Sequence, residues 1–211
     1  MPKKLNILIT GGAGYKGSSL VPALITNHRV DVLDHHISPE CTLIPFTKNK
    51  NFNFIKKDIR DIKKKDIDSY DLIIHLAGLS GYPACEANPG IAESVNVDST
   101  KKLCNLMNED QKLIYASTTY IYEISKKKIN EESPVSPKTL YAKTKLEAEK
   151  ICLTRKNTVS LRFATIFGAS PTMRHDLLLN DFVKKAVKER NIVLFDQNSL
   201  RSFIHMDDVV N

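Results

Sequence analysis

The chain of 211 residues lacks a long hydrophobic run. The first apolar stretch, residues 5–10, is interrupted by Asn6 and runs into two glycines. A membrane-spanning helix needs about 20 apolar residues, and a secretory signal ends at a cleavage site of small residues. The sequence therefore predicts a soluble, cytoplasmic protein with no membrane partner.

Cysteine is sparse and widely spaced. The four cysteines are Cys41, Cys85, Cys104 and Cys152, and no two of them form a Cys-x-x-Cys pair. The six histidines do not cluster at the spacing of metal ligands either. This pattern excludes a zinc ribbon, so we expect reduced cysteines that mostly fill the core, and no metal site.

Positive charge is in excess but is not concentrated. The chain has 31 Lys and Arg against 24 Asp and Glu, a formal charge of +7. Short lysine runs, such as 63–65 and 126–128, lie between apolar segments, as in solvated loops and helix faces. A nucleic-acid surface needs its cations on one face with aromatics between them. We therefore expect no nucleic-acid partner.

Short apolar runs alternate with helical patterns along the chain. Strand-like runs bounded by polar residues occur at 5–10, 30–33, 52–55, 71–76, 112–116, 159–163 and 192–195, and helical patterns at 20–25, 91–107, 140–153 and 177–188. This alternation predicts the α/β class with a Rossmann-type, doubly wound parallel sheet. Pro22 is expected to kink or loosen the first helix, because it lacks an N–H group.

A glycine-rich turn follows the first predicted strand. Gly11, Gly14 and Gly17 let the backbone approach a pyrophosphate while the next helix offers free N–H groups. Lys16 is followed by glycine rather than Ser or Thr, so the turn is not a P-loop. Asp34 ends the second strand roughly 20 residues on, where a carboxylate binds ribose hydroxyls and repels a 2′-phosphate. This favours NAD over NADP; a simple turn residue is the alternative interpretation of Asp34.

Tyr141 and Lys145 are four residues apart in a predicted helix and share one face. A cation beside a tyrosine can lower its pKa from about 10 by roughly 1 to 3 units, which makes the phenolate available as a general base. An ordinary surface pair is the alternative. The strand at 112–116 delivers hydroxyl side chains, including Thr118, at its carboxyl end, where open α/β sheets bind ligands.

In order along the chain, these motifs resemble the extended short-chain dehydrogenase/reductases, the NAD-dependent sugar-nucleotide epimerases and dehydratases of the UDP-glucose 4-epimerase type. The resemblance covers essentially the whole chain. It rests on 10–17, Asp34, 58–61, 75–78, Asn96, 117–118, Tyr141 with Lys145, 161–163, 167–168 and 201–208. Residues 162–165 and 170–177 also look like a bacterial subgroup that acts on nucleotide-linked sugars or heptoses.

The resemblance implies a catalytic role for three residues. Tyr141, as a phenolate held by Lys145, would remove a proton from a sugar hydroxyl while a hydride passes to NAD, and Thr118 would share the hydrogen bond. The 4-keto sugar would then turn over and receive the hydride on its other face. The expected function is thus an NAD-dependent nucleotide-sugar epimerase acting through C4 oxidation to a keto-sugar intermediate.

The resemblance also implies residues that bind the cofactor and the substrate. Those for NAD are Gly11, Gly14, Tyr15, Lys16, Gly17, Asp34, Asp58, Ile59, Leu76, Ala77, Gly78, Asn96, Tyr141 and Lys145. Those for the nucleotide sugar are Thr118, Thr165, Asn180 and Arg201. Arg201 is suited to the substrate diphosphate because a guanidinium binds oxyanions in a bidentate manner. A homodimer through the helices at 91–107 and 140–153 is expected.

The sequence departs from the family pattern at several positions. Lys16 stands where an apolar residue is usual, so its stem is expected to turn outward. Glu123 replaces a glycine, and Thr165 replaces an asparagine that contacts substrate. The residues after Thr118 are Thr119 and Tyr120, whereas the dehydratases carry an Asp-Glu pair there. Elimination is therefore not expected, which leaves C4 epimerisation or simple oxidation and reduction.

Two alternative functions are open at this point. One is an NAD-dependent nucleotide-sugar or heptose C4 dehydrogenase or reductase, and the other is a non-catalytic NAD-binding sensor or scaffold on the same fold. The presence of both Tyr141 and Lys145 favours catalysis. We expect an NAD-binding domain at 1–165 and a partial, C-terminally truncated substrate domain at 166–211, with NAD binding but poor turnover.

Overall fold

A parallel sheet of six strands forms the centre of the computed structural model, which describes residues 3–35, 42–122, 128–194, 198 and 200–211. The strands are β1 Asn6–Thr10, β2 Arg29–Asp34, β3 Phe52–Lys56, β4 Leu72–His75, β5 Lys112–Thr118 and β6 Thr158–Phe163. Their order is β3-β2-β1-β4-β5-β6. Because the direction of winding changes between β1 and β4, a crevice opens at their carboxyl ends, and the predicted Rossmann class is confirmed.

Helices connect the strands and cover both faces of the sheet. They are α1 Tyr15–Leu24, α2 Tyr82–Ala87, α3 Pro89–Glu93, α4 Ser99–Leu106, α5 Leu140–Leu153, α6 Leu178–Lys188 and α7 Met206–Val210. In the part of the chain that is described, none of the helices combines the length and the apolarity needed to cross a bilayer.

Alternate residues of the strands supply two hydrophobic layers. On one face Leu8 and Ile73 pack with Leu103 of α4 and Cys152 of α5. On the other face Ile9, with its strand neighbours, packs against α1. The central strands β1, β4 and β5 are buried on both faces, which explains why each of them reads as a nearly continuous apolar run.

Cys85, Cys104 and Cys152 are buried and free, as expected of core residues. Cys41 and Glu123 lie outside the described residues. The Sγ atoms of Cys104 and Cys152 are 3.9 Å apart between α4 and α5. These cysteines fill the interior behind the sheet.

Two elements differ from the sequence-based expectations. The helix expected at 91–107 contains a π-helical turn, Ser94–Asp98, between α3 and α4. The helix α1 contains Pro22 and ends at Leu24, and the kink expected at Pro22 stays a prediction. The strand expected at 192–195 is wrong for 192–194, which are irregular and exposed, and Phe195 lies outside the described residues. An apolar run does not become a strand without a neighbour to accept its backbone hydrogen bonds.

A second, two-stranded parallel sheet pairs β7 Thr165–Phe167 with β8 Phe203–His205. The segment after β7 is fastened to the start of α1. The Tyr15 hydroxyl donates to the carbonyl oxygen of Gly168 (2.7 Å), and the Ser170 hydroxyl donates to the carbonyl oxygen of Tyr15 (2.7 Å). One side of the crevice is thereby closed.

The domain boundary at residue 165 stays a prediction.

Candidate active site

The glycine turn packs directly on its neighbours. Gly11 has φ +71°, and a Cβ atom there would lie 2.5 Å from the backbone nitrogen of Ala77. A Cβ atom on Gly17 would lie 2.4 Å from the Cα atom of Gly12. Gly14 is the N-cap of α1 and no side chain caps the helix. The N–H groups of the first turn are therefore available for a phosphate.

Replacing Gly17 with alanine is expected to lower the free energy of unfolding by about 1 to 3 kcal/mol, because the new methyl group meets backbone rather than a flexible side chain. The affinity for NAD should fall with it, since α1 must move away from the turn. Thermal melts and NAD titrations measure both effects. Gly90→Ala is the matched control, because a Cβ atom at Gly90 has nothing within 4 Å. Unchanged stability and NAD affinity in Gly17→Ala would contradict this account of the turn.

Two carboxylates line the end of the crevice beyond β2 and β3. Asp34 accepts a hydrogen bond from the backbone N–H of Ala13 at 3.0 Å, which fixes its side chain beside the glycine turn. Asp58 is held by the guanidinium of Arg60, with contacts of 3.0 and 2.6 Å that lower the pKa of Asp58 to about 2. The Asp58 side chain is therefore anionic at neutral pH and can act as a hydrogen-bond acceptor.

The crevice continues as a cavity of about 910 Å³ from Asp34 to the start of α5. Most of the residues predicted from the sequence line it: Gly11, Gly14, Tyr15, Lys16, Asp34, Asp58, Ile59, Leu76, Ala77, Gly78, Thr118, Tyr141, Thr165 and Arg201. Gly17, Asn96, Lys145 and Asn180 are not part of its wall. Among the described residues, no group of three or more His, Cys, Asp or Glu side chains is placed to hold a metal ion.

Tyr141 lies in the first turn of α5, which is capped by Thr139 through a 3.1 Å bond from the N–H of Ala142. The hydroxyl groups of Ser80 and Thr118 lie beside that of Tyr141. Burial raises the pKa of Tyr141, while its interactions with these two side chains and the charge of Arg174 act to lower it. The three hydroxyl groups thus meet at the carboxyl ends of β4 and β5.

Lys145 lies one turn further along α5 and is 6% exposed. Its Nζ atom is 4.1 Å from the ring centroid of Tyr115. Burial lowers the pKa of Lys145 to about 7, and the charge of Lys16 acts in the same direction. The expectation that Lys145 lowers the pKa of Tyr141 is wrong for the protein alone, because burial favours the neutral form of both groups.

Asn96 and Asn180 hold the backbone around the crevice. The Asn96 side chain accepts from the N–H of Leu79 (2.7 Å) and donates to its carbonyl oxygen (3.1 Å). The Asn180 amide accepts from the N–H of Gly168 (3.1 Å) and donates to the Tyr15 hydroxyl (3.1 Å) and to the carbonyl oxygen of Arg174 (3.0 Å).

Both side chains are buried, Asn96 at 1% and Asn180 at 6% exposure. Their amide groups are used in these hydrogen bonds. The direct contacts expected from Asn96 to the cofactor and from Asn180 to the substrate stay predictions. Gly17 packs against Gly12 at the start of α1, and its predicted role in binding NAD stays a prediction.

Three residues at the reacting end of the cavity, Ser80, Tyr120 and Arg174, were not among the site residues predicted from the sequence. Ser80 contacts Tyr141, and the Tyr120 ring is 6.5 Å from that of Tyr141. Arg201 donates to the Tyr120 hydroxyl at 3.2 Å. Arg174 lines the cavity, and two of its guanidinium nitrogens donate to the two carboxylate oxygens of Asp176 at 2.6 and 2.5 Å. The position of Tyr120, directly after the hydroxyl residues 117–119 at the end of β5, could have indicated from the sequence that it lies at the cavity.

Lys16 does not turn outward as expected. Its Nζ atom lies 5.2 Å from the ring centroid of Phe163, at the end of β6, and the residue lines the cavity. Burial and, to a smaller extent, the charge of Arg174 lower the pKa of Lys16 to about 8. The aromatic face of Phe163 offers the ammonium a partner inside the crevice, which an outward position lacks.

A sequence model of the NAD dependent epimerase/dehydratase family matches residues 7–211. An uncharacterised UDP-glucose epimerase of Bacillus subtilis, YtcB, is 29% identical over 98% of this chain and 70% of its own length. The protein CapI of Staphylococcus aureus is 30% identical over 98% of this chain and 67% of its own length.

Solved structures agree in fold. UDP-glucuronic acid 4-epimerase of Bacillus cereus, in complex with UDP-glucuronic acid and NAD, superimposes with a TM-score of 0.86 at 26% identity, over 97% of this chain and 70% of that one. UDP-N-acetylglucosamine 4-epimerase of Methanobrevibacter ruminantium has a TM-score of 0.88 over 99% of this chain and 71% of that one. At 24% identity the latter supports the fold alone.

Proposed function

Because the chain belongs to the NAD-dependent epimerase/dehydratase family, we propose that it interconverts two UDP-hexoses of opposite configuration at C4. The family and the NAD-bound structural neighbours make it an enzyme with NAD as its cofactor. The observation that carries the proposed reaction is the meeting of the Tyr141, Thr118 and Ser80 hydroxyl groups in the same cavity as the glycine turn.

The residues around the cavity fit NAD. The close packing at Gly11 and Gly17, where a Cβ atom would meet backbone, leaves the uncapped N–H groups of α1 for the pyrophosphate. Asp34 would bind the adenosine ribose, and Asp58 with Ile59 would contact the adenine. When bound, NAD supplies a hydride acceptor that also returns the hydride.

Tyr141 would take the proton from the C4 hydroxyl of the sugar and later give it back. Thr118 would hold the same hydroxyl, and Ser80 would hold the phenol oxygen. Lys145 would stabilise the phenolate as an ammonium. Since the charge of each partner favours that of the other, the ion pair of Tyr141 and Lys145 would form more readily than either charge alone in a site where burial favours both neutral forms.

Arg201 and Tyr120 would receive the substrate diphosphate. The guanidinium already lies against the Tyr120 hydroxyl at the cavity wall, so its remaining N–H groups can bind phosphate oxygens. Thr165, at the start of β7, would contact the sugar. The side chain after Thr119 is the phenol of Tyr120 rather than a carboxylate, which favours epimerisation over elimination of water.

Product analysis tests this function. The NAD-loaded protein is incubated with UDP-glucose, and the sugars are identified by NMR while absorbance at the NADH band is followed. Formation of UDP-galactose without accumulated NADH supports the proposal. Stoichiometric NADH or a persistent ketone would instead identify a C4 dehydrogenase, and tight NAD binding without turnover of any nucleotide sugar would identify a sensor.

A homodimer remains part of the proposal. The exposed apolar side chains of Ile91 on α3 and Leu153 on α5, at 46% and 50% exposure, fit a contact through these helices. Light scattering after size-exclusion chromatography measures the mass directly. A mass of one chain at micromolar concentration would contradict the dimer without affecting the proposed reaction.

A further inference from the structure

Glu149 is a buried carboxylate on the face of α5 that carries Tyr141 and Lys145. It lies one helical turn beyond Lys145 and about two turns beyond Tyr141, so the three side chains project from the same side of the helix. The residue is 1% exposed. A carboxylate is seldom buried unless it is paired, so Glu149 needs a partner in the interior.

The partner of Glu149 is Arg162 on β6. Its Nε and Nη2 atoms donate to the Glu149 carboxylate at 3.0 and 2.6 Å, and the Ser160 hydroxyl donates to the same carboxylate at 3.0 Å. Arg162 is paired in register with Ser117 of β5, the residue before Thr118. Glu149 thereby fastens α5 to the sheet beside the strand end that supplies Thr118.

The guanidinium of Arg162 also holds the connection between β5 and α5. Its Nη1 atom donates to the carbonyl oxygen of Glu131 at 2.9 Å and to the Tyr122 hydroxyl. Tyr122 follows β5 in the chain, and Glu131 precedes α5. One ion pair therefore links the two elements that supply Thr118 and Tyr141 with the segment that joins them.

Several charged or titratable groups face the Lys145 ammonium from the elements packed around it. They are Lys16 on α1, His75 on β4, Cys85 on α2, Tyr115 on β5, and Glu149 and Cys152 on α5. Thiols and phenols are neutral at pH 7, with ordinary pKa values of about 8.5 and about 10, and burial lowers the pKa of His75 to about 3. Glu149 is the one carboxylate among these groups, and the charge of Lys16 opposes the ammonium.

Glu149 is ionised in spite of its burial. Burial acts to raise the pKa of Glu149, but its interactions with Arg162, Ser117 and Ser160 outweigh this effect, and the pKa lies below its usual value. The ion pair with Arg162 therefore keeps a negative charge one turn from Lys145, where it favours the ammonium form.

We propose that Glu149 is a positioning residue for the proposed reaction: fastened by Arg162, it holds Tyr141 opposite Thr118 and supplies the counter-charge of the Lys145 ammonium. This inference rests on the proposed function. Glu149 is not part of the cavity wall, so it acts through these side chains and not on the substrate. The alternative is an ion pair that only stabilises the fold. Its loss would change neither the charge of Lys145 nor the rate of proton transfer in a variant that still folds.

An NMR titration of the full chain, labelled with lysine that is isotope-enriched at Cε, measures the charge of Lys145 directly. The signal is identified by its absence in Lys145→Met, and its titration midpoint in the unaltered protein is expected near the pKa of about 7. Glu149→Gln keeps the shape of the side chain without the charge, so the midpoint should fall by about half a pH unit or more. Glu147→Gln, at an exposed position of the same helix, is the matched control and should leave the midpoint unchanged.

Single-turnover kinetics of the NAD-loaded protein with UDP-glucose measures the positioning. Glu149→Gln is expected to slow the chemical step by about 10- to 100-fold, the effect of a small misplacement of the reacting groups, while the affinity for NAD changes little. Glu149→Asp keeps the charge on a shorter side chain, so it should return the Lys145 midpoint toward that of the unaltered protein and recover part of the rate.

A double variant, Glu149→Leu with Arg162→Met, covers the case in which Glu149→Gln does not fold. Replacing both partners of a buried ion pair with apolar side chains is often neutral or stabilising. We expect this variant to melt near the temperature of the unaltered protein and yet to show a lower Lys145 midpoint and a slower chemical step.

An unaltered Lys145 midpoint in Glu149→Gln, or a stable double variant with the full rate, would overturn the inference and leave the ion pair with a structural role alone. If UDP-glucose is epimerised equally fast by the Glu149 variants, the inference fails and the proposed function stands. If the unaltered protein turns over no UDP-sugar, the proposed function fails, and the midpoints then decide whether Glu149 holds the charge of Lys145.

Discussion

Replacing Tyr141 with phenylalanine is expected to lower the rate of C4 epimerisation by about 10² to 10⁴-fold, the range that a positioned general base contributes. The phenyl ring keeps the packing at the start of α5 and removes only the hydroxyl that meets Thr118 and Ser80. Single-turnover kinetics with UDP-glucose measures the chemical step, and a fluorescence titration measures NAD binding, which should change little.

Tyr82→Phe is the control for this substitution. Tyr82 lines the same cavity at the start of α2, and its side chain is 57% exposed. Loss of the Tyr82 hydroxyl is expected to leave the rate of the chemical step within a few-fold of that of the unaltered enzyme. If Tyr141→Phe retains the chemical step to a similar extent, proton transfer must be assigned to another group.

Replacing Lys145 with methionine is expected to abolish measurable turnover and yet to stabilise the NAD-free protein. Lys145 is buried against Tyr115, and burial lowers its pKa to about 7. Each unit of pKa depression corresponds to about 1.4 kcal/mol of cost for the charged form. Methionine removes this cost but also loses the contact between the ammonium and the Tyr115 ring. The net effect at pH 6 should be a rise in the melting temperature of at least about 3 °C.

The stabilisation has a defined pH dependence. The pKa of Lys145 is about 7 in the folded protein, and that of a lysine in the unfolded chain is about 10.4. Below pH 7 both states are protonated and the cost of the buried charge is complete. Between the two pKa values the folded state has lost the proton, so the unaltered protein gains stability as pH rises and the advantage of methionine shrinks.

Thermal melts from pH 6 to pH 10 measure this difference. Lys143→Met, an exposed site on the same helix, should behave like the unaltered protein at every pH. A Lys145→Met variant that melts at a lower temperature than the unaltered protein at pH 6, or whose gain is the same at pH 6 and pH 10, would show that the buried ammonium is not a destabilising group.

The parts of the fold that could be predicted from sequence are those with local signals. The central strands β1, β4 and β5 carry apolar runs because both of their faces are buried, and the glycine turn marks the step from β1 to α1. Tyr141 and Lys145 were found by their spacing on α5. In each case the pattern lies within a few consecutive residues, so no knowledge of distant contacts was needed.

The parts that could not be predicted depend on contacts between distant residues. The Lys16 side chain lies inside the crevice because it contacts the ring of Phe163. The Asn180 amide hydrogen-bonds to Tyr15 and Gly168. No local sequence pattern indicates that these residues meet. The direction of the pKa shift of Tyr141 depends on its burial, which a pair of residues on a helix face does not reveal. Family resemblance gave candidate positions, and packing decided what each side chain contacts.

The central claim is that a hydride leaves C4 of the sugar and returns to the same carbon within one binding event. Incubating the NAD-loaded protein with UDP-glucose that carries deuterium at C4, in ordinary water, tests it by NMR of the product. The account predicts UDP-galactose with deuterium retained at C4. A product with hydrogen at C4, or with deuterium released to water, would contradict it.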